Sequence, residues 1–359
     1  MMTHEIHRRD EGAERPFSLV INSAASRNTN WSTEQDTILN DHAFQDAYNL
    51  IRTWDGYEKT PLHNLQSLSD KVGVSSIAYK DESLRFGLGS FKALGGAYAV
   101  ARLLHSQLQA AGRQNIPIAD IVNRLHDNAV RDITVCCATD GNHGGSVAWG
   151  AQTFGCKCVI FIHSTVSESR KQAIEYYGAD VRRCKGNYDD SVREAQRTAA
   201  QNNWFVVSDT SYPGYMDVPK DVMQGYELMA FEAFEQLENI PTHVFLQTGV
   251  GGMAAAVAAH AKRRWGHNRP SIILADPDES ACWVDSFRAK EPMPVTGDLD
   301  TLMAGLACGE VSALAWNILV DHGDAAMSVP DSAAIDMMRM LAKPKPNDVP
   351  IVAGESGAL

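Results

Sequence analysis

Nothing in the 359-residue chain reads as a membrane span, a metal cluster or a nucleic-acid handle. No apolar run approaches the roughly 20 residues that cross a bilayer. The opening stretch, MMTHEIHRRDEGAERP, holds no apolar segment of the secretory kind. Basic residues are outnumbered 32 to 44, which leaves a net charge of −12, and no Lys/Arg block interrupts that excess. A polyanion or an anionic membrane surface is therefore a poor partner. Seven cysteines are an odd number, and Cys136, Cys137, Cys156 and Cys158 lie in apolar runs. They read as core thiols of a cytoplasmic protein and not as a disulfide framework. Paired Cys or His residues at ligand spacing are missing, so no metal site is expected. Internal repeats and low-complexity linkers are missing too.

What the chain does have is alternation. Short apolar runs at Ile77–Tyr79, Ile133–Cys137, Cys158–Ile162, Phe205–Val207, Val244–Leu246 and Ile272–Ala275 are separated by longer stretches of helical periodicity. That order predicts an α/β fold of open, twisted, mostly parallel sheets flanked by helices. Residues 1 to 35 are polar and read as a loosely held arm.

Three glycine-bearing turns fall where such sheets place ligands, after the carboxyl ends of strands. In the first, Gly87, Gly89 and Ser90 lead to Phe91-Lys92 at a helix start, with Gly95 and Gly96 behind. An amine there feels the positive helix end, which favours its neutral, nucleophilic form. The glycine pair suggests close approach of something flat to the backbone. The second turn, Thr139-Asp140-Gly141-Asn142-His143-Gly144-Gly145, offers a carboxylate, an amide and an imidazole. Asp140 there is a candidate general base, although Asp and Asn serve equally as caps. The third, Thr248-Gly249-Val250-Gly251-Gly252-Met253, presents backbone N–H groups at a helix start and suits a phosphate dianion. No Lys-Ser/Thr follows it, so it is no Walker loop, and the acidic residue of a dinucleotide site is absent. One more carboxylate, Asp209, stands at the end of the run WFVVS.

In this order, Ser-Phe-Lys at a helix start, Asp-Gly-Asn-His-Gly and Gly-Val-Gly-Gly resemble the fold type II pyridoxal-phosphate enzymes. KDESLRFG, FKALGGAYA, TDGNHG, GNYDDSV, MQGY, MAGLACGE and GESGA carry the resemblance from about residue 55 onward, and within the superfamily they are similar to the diaminopropionate ammonia-lyases. The resemblance implies two bodies, the larger from 36–90 and 211–359 and the smaller from 91–210. It implies a homodimer, pyridoxal 5′-phosphate as cofactor and a small amino acid as substrate. Lys92 would carry the cofactor. Phe91, Asn142, Gly249, Val250, Gly251, Gly252, Met253 and Glu355 would line it, with the glycines on the phosphate and Asn142 on the ring hydroxyl. Lys92 and Asp140 would act as bases on opposite faces, which accounts for use of both enantiomers of 2,3-diaminopropionate. Asp209 would bind or protonate the β-amino leaving group.

Two departures stand against that implication. Gly145 occupies a position where the family usually has arginine. The chain ends at Gly354-Glu355-Ser356-Gly357-Ala358-Leu359, so it reads as C-terminally short beside relatives that continue with a helix and a strand. A serine, threonine or hydroxyaspartate dehydratase, a β-substitution synthase, and an altered, non-catalytic relative therefore stay open at this point.

Overall fold

The computed structural model describes residues 17–359 except 114, 140 and 187, and residue 189 in its backbone alone. Ten strands are formed among the described residues: β1 (Ser18–Ile21), β2 (Leu62–Asn64), β3 (Ala78–Lys80), β4 (Thr134–Ala138), β5 (Lys157–Ile162), β6 (Asp180–Arg183), β7 (Phe205–Val206), β8 (His243–Gln247), β9 (Ser271–Pro277) and β10 (Ala325–Val329). One sheet has the order β6-β5-β4-β7 and is parallel throughout. The other has the order β1-β10-β9-β8, parallel except for β1 at its edge. Strands β2 and β3 make a separate antiparallel ribbon. Continuous burial of β4 and β5 follows from helices on both faces, since a parallel sheet leaves no side for water.

Between the sheets lies a row of helices. Asn142–Phe154 packs on Lys92–Ala110, which packs on Asp217–Gln236, then Gly252–Trp265, then Ala313–His322. One hydrophobic cluster runs through this row, from Val135 and Ile160 at one sheet to Leu246 and Leu274 at the other. Gly95 and Gly96 find their reason here. A Cβ on Gly95 would collide with the Tyr226 ring and lie 2.6 Å from the Val222 carbonyl oxygen, and one on Gly96 would strike the Ser146 hydroxyl. The glycine pair thus admits two neighbouring helices, and the close approach expected from the sequence is made by the chain itself.

The expected loose arm is corrected from Ser18 onward. Leu19, Val20 and Ile21 are strand formers, and β10 offers them an open edge. The Asn22 amide then locks the segment by donating to the carbonyls of Val320 (2.9 Å) and Gly323 (2.8 Å). Among the described residues no helix is long and apolar enough to cross a membrane.

Candidate active site

Lys92 is the first residue of its helix and is half-buried, with 23% of its side chain exposed. Nζ donates to Asp209 Oδ2 at 2.6 Å and lies 5.5 Å from the centroid of Phe91 and 5.6 Å from that of Tyr226. Those two rings meet edge to face at 5.0 Å. Burial alone would lower the Lys92 ammonium, but the Asp209 charge outweighs it and holds the group above its ordinary value. The neutral amine expected from the helix end is thus corrected: a carboxylate in contact outweighs half a charge of helix dipole. Burial would likewise raise the Asp209 carboxyl, and Lys92, then His143, hold it below the usual range.

The segment entering Lys92 is fixed by a buried ionic knot that the sequence did not reveal. Arg85 Nη2 donates to Glu232 Oε2 at 2.6 Å and Nε to Glu82 Oε2 at 2.8 Å, while Lys80 Nζ reaches Glu232 Oε2 at 3.1 Å. Arg85 and Glu232 have fully buried side chains. Each charge in so dry a place needs its partner, and the knot ties the approach loop to helix Asp217–Gln236.

In the second turn, Asp140 lies outside the described residues. The turn is braced by Thr139, whose hydroxyl oxygen accepts from the N–H of Gly141 (3.2 Å) and of Gly144 (3.3 Å). Asn142 opens the following helix and is exposed. His143 is buried, with Nε2 2.8 Å from the Val207 carbonyl and Nδ1 3.8 Å from Asp209 Oδ2. A Cβ at Gly145 would meet nothing within 4 Å, so a side chain could begin there without a clash.

The third turn comes to the same place. Asp209 O is 3.7 Å from the Cβ position of Gly252, and the Cys308 thiol is 3.1 Å from that of Gly249. Met253 is buried in the helix the turn opens. Val250 O accepts from Ser312 N–H at 2.9 Å, and the Ser312 hydroxyl lies 2.6 Å from that of Ser211, two residues beyond Asp209. The amine, the carboxylate and the glycine turn therefore belong to one connected assembly. Glu355 is engaged elsewhere: its Oε1 lies 3.4 Å from Arg170 Nη2. Tyr226, against Lys92, was visible in the sequence only as part of MQGY, and Ser211, Ser312, Asp276 and Trp283 gave no signal at all.

The family described as pyridoxal-phosphate dependent enzyme matches residues 53–359. The chain belongs to this family. It is similar to the diaminopropionate ammonia-lyase of Salmonella typhimurium, at 39% identity over 330 residues, which are 90% of this chain and 81% of that one. The diaminopropionate ammonia-lyase of Escherichia coli K12 is 41% identical over 308 residues, 85% of this chain and 76% of that one. Holo diaminopropionate ammonia lyase from Escherichia coli superimposes with a TM-score of 0.86 at 37% identity, covering 95% of this chain and 84% of that one. The same enzyme in complex with D-serine gives 0.86 at 36% identity over the same shares. Membership of the pyridoxal-phosphate family brings pyridoxal 5′-phosphate as the cofactor.

Proposed function

We propose that the chain eliminates ammonia from 2,3-diaminopropionate: one water is consumed, and pyruvate and two ammonia molecules are released. The observation that carries this reading is the Asp209 carboxylate 2.6 Å from the Lys92 amine, beside the glycine turn. Elimination from a diamine needs a base at Cα and a proton for the nitrogen leaving Cβ, and this pair can hold and exchange that proton. The near 40% identity to diaminopropionate ammonia-lyases over most of the chain favours the same substrate.

The site suits the cofactor. It has a half-buried primary amine and, beside it, a helix start whose first N–H groups have no intrahelical partner. A side chain on Gly251 would overlap the Trp283 ring, so the turn keeps its shape only as glycine. In our assignment Lys92 would hold the cofactor through its aldehyde, the N–H groups of Gly249 to Met253 would hold the phosphate, Asn142 would meet the ring hydroxyl, and Phe91 and Glu355 would flank it. When bound, the cofactor supplies an electron sink for negative charge at the substrate Cα. Lys92 Nζ takes the Cα proton on one face and Asp140 takes it on the other. The Asp209 carboxylate orients the β-nitrogen and holds it in its ammonium form, so that it can leave Cβ as neutral ammonia. Tyr226 and Phe91 keep water from the amine. We further place the enzyme in the cytoplasm, where the buried thiols Cys136, Cys137, Cys158 and Cys282 stay reduced, and assign it as a homodimer on the resemblance alone.

The test is pyruvate release from D- and L-2,3-diaminopropionate, serine and threonine by the cofactor-loaded protein. We expect kcat/KM for diaminopropionate to exceed that for the hydroxyamino acids by about 100-fold or more, as a site built for one polar leaving group discriminates against another. Faster turnover of serine or threonine would make the chain a dehydratase.

A further inference from the structure

The carbonyl groups of Gly249, Val250 and Gly251 are all held. Gly251 O accepts from Ala255 N–H at 2.9 Å, and Val250 O from Ser312 N–H at 2.9 Å. Gly249 O accepts from the indole Nε1–H of Trp283, also at 2.9 Å. A trans peptide points its C=O and its N–H to opposite sides. Pinning these three oxygens therefore turns the N–H groups of Val250, Gly251 and Gly252 the other way. Two of the anchors are backbone N–H groups, which almost any sequence would provide. The third depends on one side chain.

We infer that Trp283 is a positioning residue, whose indole N–H aims the backbone amides of the 249–252 turn and so governs affinity for the cofactor's phosphate. The inference rests on the reading of this turn as the phosphate site. The indole is well placed to act as a fixed strut. It is fully buried, stacks on Trp316 at 6.1 Å between centroids and meets Phe287 edge-on at 5.8 Å. Gly251, at φ +94°, packs against the same ring, which a Cβ there would strike, so the turn is both hydrogen-bonded to the indole and packed on it.

One carboxylate ties this strut to the turn's entrance. Asp276 Oδ2 accepts from the N–H of Trp283 at 2.9 Å and of Val284 at 3.3 Å, and its Oδ1 accepts from the Thr248 hydroxyl. Thr248 is the residue just before Gly249, and its own N–H donates to Ala275 O at 2.8 Å. Asp276 thus links the start of helix Cys282–Ala289 to the strand end from which the turn departs. The Cys282 thiol, 3.8 Å from Gly249 O, is the only other described side chain donating to that oxygen, and it is a weak donor.

The test compares two probes, pyridoxal 5′-phosphate and pyridoxal, which share the aldehyde and the ring and differ in the phosphate. Dissociation constants are measured by absorbance on the apo protein, for wild type and Trp283→Phe. We expect the variant to bind pyridoxal 5′-phosphate about 10- to 100-fold more weakly, the usual consequence of leaving a buried acceptor unpaired, with pyridoxal changed by less than about twofold. A parallel loss for both probes, or no loss for either, would overturn the inference and leave Trp283 as core packing. Should Trp283→Phe fail to fold, 3-benzothienylalanine at position 283 keeps the bicyclic shape and removes only the N–H, and the same selective loss is expected. A wild-type protein that binds pyridoxal as tightly as its phosphate would instead sink the reading of the turn itself.

Discussion

Lys92 Nζ and Asp209 Oδ2 stand 2.6 Å apart, each holding the other in its charged form. The pair explains how a half-buried amine at a helix start keeps its proton, and it makes Asp209 the group that decides when that proton leaves. Removing the carboxylate takes away the largest influence that opposes burial.

Asp209→Asn should therefore lower the ammonium of Lys92 below its ordinary value of about 10.5. The rate at which apo protein takes up pyridoxal 5′-phosphate would then level off at a lower pH than in wild type. Turnover of diaminopropionate should fall by about 10²- to 10⁴-fold, the scale of a lost proton-transfer group. An unchanged pH midpoint would show that the pair does not control the amine.

Acid should weaken the apo protein through this same pair. Asp209 is depressed in the folded chain, so its contribution is complete above the ordinary carboxylate range near 4 and is lost as pH falls through its folded value. Urea midpoints measured from pH 6 down to pH 3 should drop more steeply for wild type than for Asp209→Asn.

Asp276 works in the opposite direction. Burial, only partly offset by its hydrogen bonds to Thr248, Trp283 and Val284, pushes its carboxyl up to about 7. Between about pH 4 and pH 7 the folded chain keeps a proton that the unfolded chain has released, so stability falls as pH rises across that window and is flat above it. Asp276→Asn carries no charge at any pH. Its stability relative to wild type should climb by up to about 4 kcal/mol between those limits, and the measurement is again the urea midpoint. A constant difference across the window would mean that Asp276 titrates normally.

Glycines of the two turns should answer substitution in opposite ways. Gly145 sits within helix Asn142–Phe154 with open space beside it, so Gly145→Ala should gain about 0.5–1 kcal/mol, and Gly145→Arg should fold as well as wild type. Gly251 is left-handed and lies on the Trp283 ring, so Gly251→Ala should lose about 1–3 kcal/mol and most cofactor affinity. Thermal melts with and without pyridoxal 5′-phosphate read both effects.

Much of this was legible in the sequence because it is local. The six apolar runs all became strands, from β3 to β9, because β-branched and aromatic clusters between turns have few other uses. Of the four strands not foreseen, β6, Asp180-Val-Arg-Arg, is a polar edge, β10, Ala-Ala-Met-Ser-Val, is poor in strand formers, and β2, Leu-His-Asn, is mostly polar, whereas β1, Ser-Leu-Val-Ile, has strand formers but lies in an otherwise polar stretch. The site divides the same way. Lys92 and the Gly249–Met253 turn announce themselves by residue type next to a strand end or a helix start. The partners that set their chemistry stand far away in sequence: Asp209 is 117 residues from Lys92, and Trp283 is 34 from Gly249. No periodicity encodes such pairings, because they arise only when the helices and sheets pack.

The most direct measurement is to load the protein with pyridoxal 5′-phosphate, reduce it with borohydride and map the modified peptide by mass spectrometry. We expect the phosphopyridoxyl group on Lys92, and none on Lys92→Ala treated in the same way. Its attachment to any other lysine of the wild-type protein, or its absence, would contradict the assignment on which the site rests.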